Sequence, residues 1–144
     1  DTARVGCGGG GGNGSDRMLG GGGDDVMNGG EDDDILNGGA GNDALDGDNG
    51  NDGLSGFTGN DFMLGDYGND TMYGGDGNDN MIGAAGADIV IGQGDDDFVK
   101  GNGGNDLLAG GSGFGADAGD TVVGNAGEID ELFTFIEPDW VTNI

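Results

Sequence analysis

Along most of the chain a single aliphatic side chain returns at every ninth residue: Met18, Met27, Leu36, Leu45, Leu54, Met63, Met72, Met81, Val90, Val99 and Leu108. No other position of the nine is uniformly apolar. The residues on either side of each aliphatic predict a very short strand of three, in which side chains alternate. The central residue, eighth in the repeat, must face inward, and the seventh and ninth must face outward. All five methionines fall in the inward set, where a flexible side chain suits a thin and loosely defined core.

The other six positions supply turns. Each nonapeptide opens on glycine (Gly11, Gly20, Gly29 and onward to Gly101), and the sixth residue is always aspartate: Asp16, Asp25, Asp34, Asp43, Asp52, Asp61, Asp70, Asp79, Asp88, Asp97 and Asp106. The stretch Gly38 to Asp46 reads G-G-x-G-x-D-x-U-x, with U apolar. The glycines are expected to provide the positive φ of tight turns.

Eleven copies in phase resemble the calcium-binding nonapeptide repeats of the RTX (repeats-in-toxin) proteins. The resemblance implies an all-β fold, a right-handed parallel β-roll with short strands and calcium-binding glycine-rich turns. One nonapeptide is then half a turn, and repeats two apart stack into the same sheet. Five and a half coils at a strand spacing of ~4.8 Å would form a rod roughly 25 Å long. The resemblance also implies that each ion lies between turns two repeats apart and is shared by their aspartates. The eleven aspartates named above are the ligands so assigned. They form about nine such pairs, and nine divalent ions would offset about eighteen of the twenty-six net negative charges.

Composition sharpens the need for such ions. Of 144 residues 40 are glycine, and 29 acids face three bases, Arg4, Arg17 and Lys100, for a net charge of -26. Glycine loses the most backbone entropy on ordering, and high charge with few apolar residues is the signature of disorder. Cohesion must come from outside the chain, and a cation that neutralises aspartates is the obvious source. The same charge excludes nucleic acid as a partner, because phosphate contacts need a positive surface. It also argues against adhesion to anionic membranes.

No apolar run approaches the ~20 residues needed to span a bilayer. No signal peptide is expected at Asp1 to Val5, which has neither a charged lead nor an apolar core. Cys7 is the only cysteine, so no internal disulfide is expected. With no histidine in the chain, a histidine-based triad or imidazole metal site is ruled out. Ser15, Ser55 and Ser112 have no evident base, and Gly8 to Gly14 lacks the lysine of a phosphate loop. The expectation is a chain that is not an enzyme.

The pattern divides the chain into four parts. Residues 1–10 read as an irregular lead-in or degenerate first turn, with Cys7 in the aspartate slot and Gly9 in the apolar slot. Residues 11–109 are the calcium-binding roll. Residues 110–127 are degenerate repeats after a five-residue insertion, Gly110 to Phe114, beyond which Asp120 and Val122 resume the register and Asp130 is displaced by one. Residues 128–144, rich in apolar side chains and lacking glycine, read as a cap on the open end or as a tail resembling a type I secretion signal.

Departures from the motif mark doubtful sites. Asp32 and Asp95 replace the fourth-position glycine, Asp48, Phe57, Asp66, Ala84, Gln93 and Asn102 replace the second, and Ala87 replaces a polar turn residue. Tight central sites and weaker ones near Asp97 are expected. Among outward positions, Tyr73, Ile89, Ile91 and Leu107 should cluster on one face, and Phe62, Leu64, Ile82 and Phe98 on the other; such patches mark interfaces. An ice-binding threonine array is excluded, since only Thr71 and Thr121 occupy candidate outward slots.

Together these features describe a secreted, non-enzymatic calcium-binding structural protein that folds on extracellular calcium. It would self-assemble through its apolar faces and roll ends into a filament, surface layer or matrix. The alternative is a calcium-triggered folding and secretion module of a larger RTX toxin, protease or lipase.

Overall fold

The computed structural model describes residues 2–4, 9–111, 120–124 and 131–132. In chain order the strands are β1 (Thr2–Arg4), β2 (Gly9–Asn13), β3 (Arg17–Gly22), β4 (Val26–Glu31), β5 (Ile35–Ala40), β6 (Ala44–Asn49), β7 (Gly53–Thr58) and β8 (Phe62–Tyr67). They continue with β9 (Thr71–Asp76), β10 (Asn80–Ala85), β11 (Ile89–Gln93), β12 (Phe98–Gly103), β13 (Leu107–Gly111), β14 (Thr121–Val123) and β15 (Glu131–Leu132). Odd strands form an eight-stranded sheet in sequence order, and even strands form a seven-stranded one. All pairings are parallel, so the chain is a β-solenoid in which each strand lies beside the strand one full turn away.

Register follows the nonapeptide. Leu36 lies opposite Leu54, and Leu54 opposite Met72, so eighth residues stack in two facing files eighteen residues apart. All eleven are buried at 0–1% exposure, and Val122 joins them at 4%. The core is this double file of aliphatic side chains, as the nine-residue periodicity requires.

Strand length differs from the expectation. Most strands run six residues, adding the first three positions of the next repeat to the last three of their own. The ladder skips the first-position glycine: in β5 and β7, Asn37 pairs with Ser55 and Gly39 with Phe57, and Gly38 is passed over. The turn glycines therefore extend the sheet instead of only reversing the chain. Backbone hydrogen bonding needs no side chain, and that is why apolar spacing does not reveal it.

The solenoid also outruns its regular repeats. Across the insertion Val99 pairs with Val122, an offset of 23, and Leu108 pairs with Leu132, an offset of 24. The five inserted residues and one further displacement leave the pairing intact. At the other end Gly9 pairs with Met27 in frame. Thr2–Arg4, however, pairs with Arg17–Leu19 three residues out of phase. Seven inter-strand spacings in the larger sheet make the rod about 34 Å long at ~4.8 Å each. Cys7 lies outside the described residues, as does all but Glu131–Leu132 of the segment 128–144 read as a cap or tail.

Eight of the nine motif departures have one conformation in common, Ala87 being the exception. Among the described residues, Asp32, Asp48, Phe57, Asp66, Ala84, Gln93, Asp95 and Asn102 are the non-glycine residues with positive φ, between 69° and 87°. They sit at second and fourth positions, whose glycines elsewhere also have positive φ. The fold keeps the left-handed conformation and these side chains bear the strain, ~1–2 kcal/mol for an ordinary L-residue. Ala84→Gly should therefore stabilise the calcium-loaded roll by about 1 kcal/mol, measured by urea unfolding in saturating calcium.

Candidate metal centres

The sixth-position aspartates line the two rims in files that follow the strands. All eleven are buried, at 1–8% exposure. From Asp34 to Asp106 one carboxylate oxygen of each links neighbouring coils. Asp34 Oδ1 accepts the Asp16 N–H at 2.7 Å, Asp52 Oδ1 that of Asp34 at 2.7 Å, Asp70 Oδ1 that of Asp52 at 2.8 Å and Asp88 Oδ1 that of Asp70 at 2.9 Å. The opposite rim repeats this from Asp25 through Asp43, Asp61 and Asp79 to Asp97. The insertion does not break it, because Asp120 Oδ1 accepts the Asp97 N–H at 2.8 Å.

The second oxygen is in a different position. In Asp34, Asp43, Asp52, Asp61, Asp70, Asp79 and Asp88, Oδ2 is buried and accepts no hydrogen bond. First-position glycines lie against it. A Cβ on Gly47 would fall 2.5 Å from Asp52 Oδ2 and 2.9 Å from the Gly65 carbonyl oxygen; on Gly29 it would fall 2.5 Å from Asp34 Oδ2 and 2.8 Å from the Gly47 carbonyl. None of the first-position glycines from Gly20 to Gly101 has positive φ. These glycines serve proximity alone, whereas second and fourth positions also need positive φ, contrary to the expectation that every turn glycine supplies φ. The cradles at Gly29, Gly47, Gly56, Gly65 and Gly74 thus bring a carboxylate oxygen and a backbone carbonyl of the next coil close together.

Burial dominates the electrostatics. It pushes Asp70 up to about 7, and Asp52, Asp79 and Asp88 up to about 6, against 3.8 in the open chain. The backbone N–H bond to each lowers the value in part, and neighbouring carboxylates raise it further. Asp34, Asp43 and Asp61 are raised for the same first cause. Burial thus disfavours the charged form of these carboxyls, and in Asp34, Asp52, Asp61, Asp70 and Asp79 the second oxygen shares its glycine cradle with a carbonyl of the next coil. A hard divalent cation, which takes carboxylate and carbonyl oxygens, matches that donor set. Among the described residues no three His, Cys, Asp or Glu side chains converge on a point. An ion here would draw on a pair of aspartates and complete its shell with backbone carbonyls.

A second ladder runs beside the first with opposite polarity. The fifth-position side chain accepts from the backbone one coil later: Asn42 Oδ1 from Asn60 N at 2.8 Å, Asn60 Oδ1 from Asn78 N at 2.9 Å and Asn51 Oδ1 from Asn69 N at 2.9 Å. These residues are exposed and play no part in the cradle. The sequence carried the signal, since nine of the eleven fifth positions are Asn or Asp, but the aspartate periodicity drew attention away from it.

A parallel β-solenoid with paired, desolvated carboxylates on both rims defines a metal-binding repeat protein. The model of the RTX calcium-binding nonapeptide repeat matches in four copies, at residues 10–45, 19–54, 55–90 and 82–115. The chain belongs to that family, whose repeats bind calcium. No curated protein and no solved structure matches it.

Two outcomes follow from the buried carboxylates. Asp70→Asn keeps an acceptor for the Asp52 N–H and removes a buried charge. Its melting temperature in chelator should rise, while the calcium midpoint shifts upward by roughly tenfold; thermal melts and a calcium titration read both. In the metal-free chain the raised aspartates bind protons more tightly folded than unfolded. Their stabilisation is complete below the unfolded value of 3.8 and is lost as pH rises through about 6 to 7. Chelator-treated protein should be more folded at pH 5 than at pH 8, by circular dichroism, and calcium should reverse that order.

Proposed function

We propose that this chain is a secreted, non-enzymatic structural protein whose folding is driven by extracellular calcium. Its calcium ligands are Asp16, Asp25, Asp34, Asp43, Asp52, Asp61, Asp70, Asp79, Asp88, Asp97 and Asp106, joined in about nine inter-coil sites. The observation that carries the reading is the file of buried Oδ2 atoms without a hydrogen-bond donor. An ion held there stabilises the folded state alone and draws the equilibrium towards it by mass action. Where calcium is scarce the aspartates repel and the chain stays open. At the millimolar concentrations typical of external sites it orders. No helix of the described structure is long and apolar enough to cross a membrane, and the absence of histidine supports a role without catalysis.

Self-assembly is supported by the outer faces. Register places Ile89 between Thr71 and Leu107, and Ile91 between Tyr73 and Ala109, a contiguous apolar strip. The other face is more broken: Asn80 separates Phe62 from Phe98, and Ile82 lies between Leu64 and Lys100. Once calcium offsets most of the charge, such strips and the strand edges at the roll ends can join copies.

The test is circular dichroism and sedimentation in chelator and in millimolar calcium. The expected result is a coil spectrum in chelator, a β spectrum in calcium, and species that grow with protein concentration only when calcium is present. A folded monomer at high concentration would favour the rival reading, a folding and secretion module of a larger RTX protein. Identical spectra in both conditions would overturn the calcium-driven account.

A further inference from the structure

Phe57 is the bulkiest of the residues held at positive φ, at 79°, and it is half exposed. Asparagine and aspartate tolerate this region; phenylalanine does so only against strain. A strained residue that neither packs in the core nor holds a cradle points to use elsewhere.

Its surroundings show what that use is. Along the second positions of the larger sheet the register reads Gly21, Gly39, Phe57, Gly75, Gln93. Phe57 therefore stands as a ridge between two troughs. On one side a groove of about 500 Å³ runs over Gly75, bounded by Phe57 and Gln93, with Ser55, Tyr73 and Asp76 at its edges. On the other side a groove of about 680 Å³ crosses Gly39 and Gly21, with Asn37 along it. Gln93, like Phe57, replaces a glycine and keeps positive φ, at 87°. Two substitutions flanking one retained glycine build the first groove.

Charge identifies the class of ligand. Of the twelve residues lining either groove, Asp76 alone is charged, on a chain that carries 29 acids. A cationic ligand would be met by carboxylates, which are scarce here, and anionic ligands are repelled by the field of the whole chain. What the grooves offer is two exposed aromatic faces, Phe57 at 50% and Tyr73 at 39%, with neutral hydrogen-bonding groups on Asn37, Ser55 and Gln93. Sugar rings present the matching combination, C–H faces for the aromatic planes and hydroxyl edges for amides and hydroxyls. From β3 to β11 the strip is ~19 Å long, enough to seat several sugar rings. We propose that this strip binds a linear neutral glycan, seated across Phe57.

The experiment uses the full chain, saturated with calcium, and isothermal titration with cellohexaose, maltohexaose and laminarihexaose. At least one should bind with a dissociation constant of about 1 mM or tighter. Phe57→Gly restores the repeat glycine without changing charge; it should weaken binding about tenfold or more while the melting temperature stays level or rises. Gln93→Gly should weaken binding in the same sense. The proposal is overturned if no hexasaccharide binds at ~10 mM, if Phe57→Gly binds as tightly as the parent, or if that variant melts lower. It is equally overturned if Phe57→Gly abolishes capture of a hexa-arginine peptide, or converts an oligomer to monomer with no glycan bound. Those two results would assign the ridge to a basic peptide or to a second copy.

Discussion

The fold rests on a conflict within each of the rim aspartates Asp34, Asp52, Asp61, Asp70 and Asp79. One oxygen is fixed by the N–H of the coil before it, so the carboxylate cannot turn away, and the other is left facing a carbonyl in a space too small for a methyl group. Geometry demands the side chain there, and burial opposes its charge. A proton or a cation resolves the conflict. The proton suffices only below about pH 6 to 7 for the most buried groups, so near neutrality the cation is the remaining solution. Because each aspartate is hydrogen-bonded to its neighbour one turn away, neutralising one site supports the placement of the next. Solenoids behave as sums of such neighbour terms.

Glycine serves this arrangement in two distinct ways, and substitution patterns separate them. At second and fourth positions the requirement is chiefly conformational, although at most of the glycines kept there, such as Gly39 and Gly68, a Cβ would also meet a carbonyl of the preceding coil; eight other residues meet the conformation, with strain. At first positions the requirement is spatial, because any Cβ would occupy the cradle, and from Gly11 to Gly101 no repeat departs from glycine there. Strain can be borne locally by a well-braced turn. A filled cradle cannot be relieved without moving backbone of the next coil.

These distinctions mark the limit of what the amino-acid pattern could reveal. The core was legible in full, since one aliphatic in nine with outward neighbours turns every eighth residue inward, and Leu36, Leu54 and Met72 stack as the spacing requires. The resumed register at Asp120 and Val122 was also legible, because aspartate and valine kept their separation after the insertion. Six-residue strands were not, since backbone pairing of glycines leaves no mark on apolar spacing. Nor was the asymmetry of the carboxylate, one oxygen bonded and one bare, which depends on the register of neighbouring coils. The slip of Thr2–Arg4 by three residues escaped for a related reason: without an aspartate or an aliphatic to anchor the frame, composition cannot fix phase.

Strain and desolvation are not spread evenly along the rod. The coils from Gly11 to Ala40 keep glycine at every second position, whereas six later repeats, from Asp48 to Asn102, replace it and hold positive φ. The aspartates pushed highest by burial, Asp52, Asp70, Asp79 and Asp88, lie in that same later stretch. Both effects oppose folding, and neither is offset by a larger core, because the inward residues there include the smaller Val90 and Val99. With stability set by contacts between adjacent coils, the stretch beyond Gly47 leans harder on whatever neutralises its carboxylates than the stretch before it. The irregular outer surface, including Phe57, is concentrated where intrinsic cohesion is lowest, so those side chains are displayed only once the rims are neutralised.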